Sequence, residues 1–233
     1  VLARRTFAEP LAEIKPEIKY YMRPRILISC EKSGKIRDAF INRGFDAVSC
    51  DLEASDSGRG THVQADVLSL ISEEWDLVIA HPPCTYLCNS GVRWLKTEPG
   101  RWAKMVSGAC FFAAHYGFKT PRLCIENPIP HKYALKIIGR KYSQIIQPWQ
   151  YGHGETKATC FWLEGLPPLQ PENIVPGRVG RIHRLPPSPN RSEIRSSTYQ
   201  GVADAIANQW GAVLEESGFT SANNGSTKAG IAI

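Results

Sequence analysis

From Arg25 onward, short apolar runs alternate with amphipathic stretches. Residues 25–30 (RILISC) form a continuous run rich in β-branched side chains and predict a buried strand. After the turn EKSG, Ile36, Phe40 and Ile41 fall at helical spacing, and Gly44 is a suitable stop. DAVSCDL predicts a second strand ending in Asp51; EASDSGRGTH reads as loop, and VQADV leads into a short helix around LSLISEEW. DLVIAHPPC predicts a third strand that runs into a double proline. Helical spacing returns in RWAKMVSGACFFAAHYGF, and PRLCIENP predicts a strand ending at Glu126. Residues 137–165 predict a helix, a strand, a glycine-bearing loop and a further strand, and TYQGVADAIANQWGAVLEE is an amphipathic helix. Strands alternating with helices imply an α/β domain whose parallel sheet carries helices on both faces.

A chain of 233 residues suffices for one good core. The pattern divides it into an N-terminal extension (1–24), a core (25–165), a basic insert (166–197), a helix completing the core (198–215) and a flexible tail (216–233). The extension mixes acidic with basic residues and lacks the apolar stretch of a signal peptide. No apolar run approaches the roughly 20 residues of a membrane-spanning helix, so no membrane association is expected. The insert is rich in proline, arginine and serine; structureless loops of such length are uncommon within domains, which makes it a functional suspect.

Charge sharpens this picture. Lys and Arg number 28 against 22 Asp and Glu, a formal +6, which favours a polyanionic partner such as nucleic acid. The seven cysteines are odd in number and scattered, as in reduced cytoplasmic proteins. Cys84 and Cys88 have no second pair or His cluster beside them, so no metal site is expected.

Ligands of open α/β sheets bind beyond the carboxyl ends of the strands. Four predicted strand ends carry suggestive groups: the SCEKSG turn, Asp51, the HPPC turn and Glu126. Asp51 lies about twenty residues past the first turn, where an acid can bond ribose hydroxyls; a solvated loop acid is the other reading. Asp66 suits an adenine amino group or a helix N-cap. Cys84 is a candidate nucleophile, its direction fixed by Pro82 and Pro83; by itself it reads more readily as a packed structural cysteine. Glu126-Asn127-Pro128 changes that weighing. Carbon 5 of cytosine accepts a methyl group only after a nucleophile adds to carbon 6, while an acid at ring nitrogen 3 offsets the developing charge. One cysteine and one acid at neighbouring strand ends meet that need.

The ordered set resembles the DNA cytosine-5 methyltransferase family, particularly its small, phage-type members. HPPC resembles the family's Pro-Cys motif, IENP its Glu-Asn motif, QYGHGETKAT its tyrosine-glycine and glutamine-arginine segment, and YQGVADAIANQWG its final motif. SCEKSGKIRDAF stands where the family has a glycine-rich first motif, but keeps only Gly34, with Glu31 and Ser33 at glycine positions. The resemblance spans about Arg25 to Gly211. It implies a Rossmann-like S-adenosylmethionine-dependent methyltransferase fold with a mostly parallel sheet and a reduced target-recognition insert.

The same resemblance assigns roles. Cys84 would be the nucleophile, Glu126 the acid at ring nitrogen 3, Lys157 a contact to the base or a phosphate, and Asn127 a brace. Lys157 falls at the first arginine position, Glu155 at the glutamine and Thr159 at the second arginine. S-adenosyl-L-methionine would be held by Cys30, Glu31, Ser33, Gly34, Asp51, Leu52, Asp66, Val67, Pro82, Gly201 and Val202. Arg93, Lys96, Arg101, Arg178, Arg181 and Arg184 would contact double-stranded DNA, at a very short target given the small insert. Trp94 and Trp102 read slightly better as core anchors than as groups filling a vacated base stack. His81 before the prolines and Cys84 after them disfavour an amino-methyltransferase; RNA or a free nucleotide as substrate, and a silent DNA-binding protein, stay open. A cytoplasmic monomer needing no metal, of phage or prophage origin in a bacterial host, completes the expectation.

Overall fold

In a computed structural model, residues 23–218 are described; the expected N-terminal extension and C-terminal tail lie almost wholly outside them. The apolar run after Pro24 becomes β1 (Arg25–Ser29), whose last four residues are buried. Helix α1 (Lys35–Asn42) returns the chain to β2 (Asp46–Asp51), with Gly44 in the left-handed region at the turn. β3 (Thr61–Gln64) follows, then β4 (Leu77–Ala80), α2 (Arg101–Ala114) and β5 (Leu123–Pro128). The chain continues through α3 (Lys132–Ile138), β6 (Gln144–Ile146), β7 (Thr159–Glu164), the short α4 (Arg181–Arg184) and α5 (Arg191–Ser196), and the long α6 (Gln200–Glu216).

The seven strands form one sheet in the order β3-β2-β1-β4-β5-β7-β6. β1 to β5 are mutually parallel, whereas β7 runs antiparallel to both β5 and β6. This is the mixed α/β, Rossmann-like class expected, with the antiparallel strand inserted near one edge. The path winds outward from β1 through β2 to β3, then restarts at β4 on the other side. That reversal leaves a crevice beyond the carboxyl ends of β1 and β4.

Alternation along the strands feeds a core on each face. Ile26 and Ile28 of β1 pack with Phe40 of α1 and with Ile206, Trp210 and Leu214 of α6. Leu27 points the other way, among Val78, Met105 and Phe112. Fully burying side chains of this size stabilises the fold by about 2–3 kcal/mol each before entropy is counted.

Three features depart from the sequence expectations. Residues 61–64, read as loop and lead-in, form edge strand β3, so the strand before the double proline is the fourth. Trp94 and Trp102 are not core anchors: they are 36% and 50% exposed, with Trp94 beneath the Arg93 guanidinium and Trp102 beside Tyr133. The insert is tied to the core at its start, where Leu169 is fully buried and Tyr151 Oη donates to its carbonyl.

Candidate active site

The crevice contains a cavity of about 160 Å³ lined from four strand ends. Cys30 follows β1, Asp51 and Leu52 close β2, Asp66 and Val67 follow β3, and Pro83 follows β4; Phe111 of α2 forms a further wall. Cys30 has a φ of 57°, in the left-handed region that glycine occupies most easily, so the turn after β1 stores backbone strain at the cavity. Asp66 caps the following turn, its Oδ1 accepting the Leu68 amide at 3.0 Å. Asp51 Oδ1 accepts the Glu53 amide at 3.0 Å. Among the described residues, the second oxygen of each carboxylate has no hydrogen bond, leaving two acceptors for a ligand.

Other residues expected to hold a cofactor are placed differently. Glu31 is buried, and its carboxylate turns onto α1, accepting the amides of Ile36 at 2.8 Å and Arg37 at 3.3 Å. Ser33 Oγ accepts the Lys35 amide, and Gly34 is the αL residue opening the helix. The chain's own side chains thus fill the anion-binding amides that a glycine-rich turn would leave open. Burial pushes the Glu31 carboxyl up, opposed by the charge of His81 and the two amides. Pro82 is buried and it is Pro83 that reaches the cavity. Gly201 packs on backbone instead: a Cβ there would lie 1.9 Å from the Tyr151 carbonyl oxygen. Its amide donates to His153 Nε2 at 3.0 Å. Val202 lines a second, smaller cavity.

That second cavity, of about 30 Å³, lies among His81, Glu126, Lys157, Tyr199 and Val202. Glu126 reaches it from the end of β5, and His81 from the end of β4, with His81 Nδ1 at 3.4 Å from Glu126 Oε2. The main chain fixes both: the His81 amide donates to the Ser29 carbonyl, while Asn127 is buried in the ladder between β5 and β7. Cys84 begins a helical turn in which the Leu87 and Cys88 amides donate to its carbonyl. The Cys88 sulfur, burial and the Glu126 charge all keep the proton on Cys84, while Lys157 acts in the opposite sense. A thiolate at Cys84 therefore depends on the nearby ammonium and on whatever enters the site.

Lys157 comes from the loop before β7, and burial pulls its ammonium down while Glu126 and Cys84 oppose that shift. Its Nζ donates to the carbonyls of Ser197 at 3.0 Å and Ser196 at 3.3 Å. Lys35 Nζ holds the same segment through Ser197 Oγ and the Thr198 carbonyl. The end of α5 is thereby strapped over the cavity, which has room for waters but not for a pyrimidine ring. Glu155 accepts from Arg181 at 2.9 Å and from Tyr199 Oη at 2.7 Å. Burial works against its charge, but Arg181 and Tyr199 hold it below the ordinary carboxylate range.

The cations expected to meet nucleic acid differ in exposure and in partners. Arg93, Lys96 and Arg184 are exposed. Arg101 donates to Glu98 and to the Thr85 carbonyl and lies over Tyr86, so it braces the loop that follows Cys84. Arg178 stacks 3.8 Å over Trp149, and Arg181 is engaged by Glu155. Among the described residues no group of three or more His, Cys, Asp or Glu could hold a metal ion, and no helix is long and apolar enough to cross a membrane.

No protein-family model and no curated protein matches the chain. Among solved structures it is similar to a protein described as a DNA modification methyltransferase encoded within a prophage of E. coli. That likeness has a TM-score of 0.44 and 16% identity, over 70% of this chain and 55% of that one. It is also similar to the Entamoeba histolytica methyltransferase EhMeth, with TM-score 0.40 and 14% identity over 65% of this chain and 57% of that one. The S. pombe Dnmt2 methyltransferase gives TM-score 0.37 and 14% identity, over 63% and 51% of the two chains. The chain spans little more than half the length of these structures. Likenesses this distant carry no weight for activity, which has to be read from the site.

His81 is the site residue that sequence reasoning missed. Its signal was its place immediately before the double proline at a strand end, one position from where the chain turns into the crevice.

Proposed function

We propose that the protein is an S-adenosyl-L-methionine-dependent DNA methyltransferase acting on carbon 5 of a flipped-out cytosine. The observation that carries this reading is that Glu126 and Lys157 line one small cavity and both act by charge on Cys84 in the turn after β4, next to a larger cavity lined by Asp51 and Asp66. When bound, the cofactor supplies a methyl group on a sulfonium, which C–H chemistry at a base requires. The free oxygen of Asp51 suits ribose hydroxyls, and that of Asp66 suits an amino group; Leu52, Val67 and Phe111 offer apolar walls. Because Glu31 fills the amides of α1, the methionine carboxylate has to be held elsewhere.

The chain's residues then divide the work at the base. Lys157 favours the thiolate of Cys84, which adds to carbon 6. Glu126 donates a proton toward ring nitrogen 3, so that electron density moves to carbon 5 instead of building charge on the ring. After the methyl group has been taken up, the proton at carbon 5 passes to solvent, the Cys84 sulfur leaves as thiolate with the electron pair of its bond, and nitrogen 3 returns its proton to Glu126, which restores the aromatic ring. The strap at Ser196–Thr198, once displaced by the incoming base, frees Lys157 and Lys35 to meet the nucleotide's phosphates. Exposed Arg93, Lys96 and Arg184 offer further positive charge to a polyanionic substrate.

Nucleoside mass spectrometry tests this on duplex DNA, RNA and free cytidine nucleotide, each incubated with the protein and S-adenosyl-L-methionine. The expected product is 5-methylcytosine in duplex DNA. Methylation confined to RNA or nucleotide overturns the DNA assignment, and no methylated product in any arm overturns the reaction.

A further inference from the structure

The residue before the double proline meets one acid directly and acts on a second by charge. His81 Nδ1 lies 3.4 Å from Glu126 Oε2, and the charge of His81 lowers the pKa of the buried carboxyl of Glu31. His115, at the end of α2, is the other titratable neighbour; Lys157 faces the pair across the small cavity, and Cys84 belongs to the same turn. His81 Nε2 is buried and has no hydrogen-bond partner among the described residues. A buried imidazole nitrogen without a partner is costly unless a water or substrate atom meets it during use.

We propose that His81 is the positioning residue that supplies the proton Glu126 delivers to the base. This rests on the cytosine chemistry above. A carboxyl group is ordinarily ionised at neutral pH and has no proton to give, whereas imidazole exchanges one near neutrality. In the forward step His81 Nδ1 gives its proton to Glu126 Oε2, leaving a neutral imidazole with its proton on Nε2. Glu126 passes one proton to ring nitrogen 3 as the Cys84 thiolate adds to carbon 6. On expulsion of the sulfur the proton returns from nitrogen 3 to Glu126 and from there to His81, so no proton is gained or lost. The 3.4 Å separation is long for a hydrogen bond, as catalytic hydrogen bonds often are in sites without substrate.

The role can be read without any methyl donor. Reversible addition of Cys84 to carbon 6 lets carbon 5 take a deuteron from solvent and lose its proton, so deuterium enters at carbon 5. The experiment follows that exchange in duplex DNA in heavy water from pH 5.5 to 8.5, with wild type, His81→Gln and His81→Asn. Folding of each variant is checked by its thermal midpoint. The wild type is expected to keep exchanging to about pH 8. Both variants are expected to lose about a hundredfold at pH 8 and only a few fold at pH 5.5, where proton donors in solvent are more abundant. A uniform loss at every pH, or none, overturns the role of His81. If the wild type exchanges nothing, the cytosine chemistry itself falls, a result separable from the first because it precedes any substitution.

Discussion

His115 offers a quantitative check on the packing behind the site. Its ring is fully buried beneath the crevice, where Nδ1–H donates to the Phe111 carbonyl at 3.0 Å and Nε2 accepts from Ser29 Oγ at 2.9 Å. Burial pulls its pKa from 6.5 down to about 4, with the two carbonyls of α2 opposing and the charge of His81 assisting. The folded protein therefore refuses a proton that the unfolded chain accepts. The resulting stability is complete above pH 6.5 and falls away as the pH drops toward 4. At 1.36 kcal/mol per unit, the full loss is about 3 kcal/mol. Glu31, pushed up by burial, acts in the opposite sense, so the wild-type profile mixes the two. The difference between wild type and His115→Gln isolates the histidine, because glutamine can keep both hydrogen bonds without titrating. Urea unfolding at pH 7, 6, 5 and 4 should show the wild type losing about 2–3 kcal/mol relative to His115→Gln as the pH falls. Parallel profiles would refute the account of a neutral, desolvated His115.

Further consequences are open to direct measurement. Gly201→Ala should destabilise the fold by about 3 kcal/mol in chemical denaturation, because its Cβ meets backbone oxygen with nowhere to yield; a change under 1 kcal/mol would contradict that packing. Asp51→Asn should weaken S-adenosyl-L-methionine binding by about tenfold in calorimetry, the cost of one charged hydrogen bond, and unchanged affinity would remove Asp51 from the donor site. Replacing Arg93 and Arg184 together by alanine should weaken duplex binding and lower the slope of log affinity against log salt by roughly 2. An unchanged slope would place the duplex on another face.

The sequence was most legible where burial is two-sided. β1, β4 and β5 have near-continuous apolar runs because helices cover both faces of the sheet, and those runs can be read without partners. β3 was not legible: four residues at the sheet edge, none fully buried, leave no apolar period. The antiparallel turn of β7 was also hidden, since strand direction is set by the path of the loop before it rather than by its own residues. At the candidate site, Cys84 and Glu126 stand out because each belongs to a short, unusual motif, one just past β4 and one in the last half of β5. Glu31 could not be understood in the same way. A carboxylate in a turn has the same spacing whether it faces a ligand or caps its own helix, and only the bonds to Ile36 and Arg37 distinguish them. Trp94 and Trp102 misled for a related reason. Large aromatics near a helix usually anchor it, but here cation–π and aromatic contacts hold them at the surface.

The central claim is that Cys84 adds to carbon 6 of cytosine, and covalent trapping tests it most directly. In duplex DNA bearing 5-fluorocytosine, fluorine takes the place of the proton that must leave carbon 5, so the adduct cannot resolve after methyl transfer. Wild-type protein incubated with this DNA and S-adenosyl-L-methionine should migrate as a protein–DNA conjugate in a denaturing gel, with the modified peptide containing Cys84, and Cys84→Ser should give none. A conjugate through another cysteine, or methylation of ordinary cytosine by Cys84→Ser, would contradict the account.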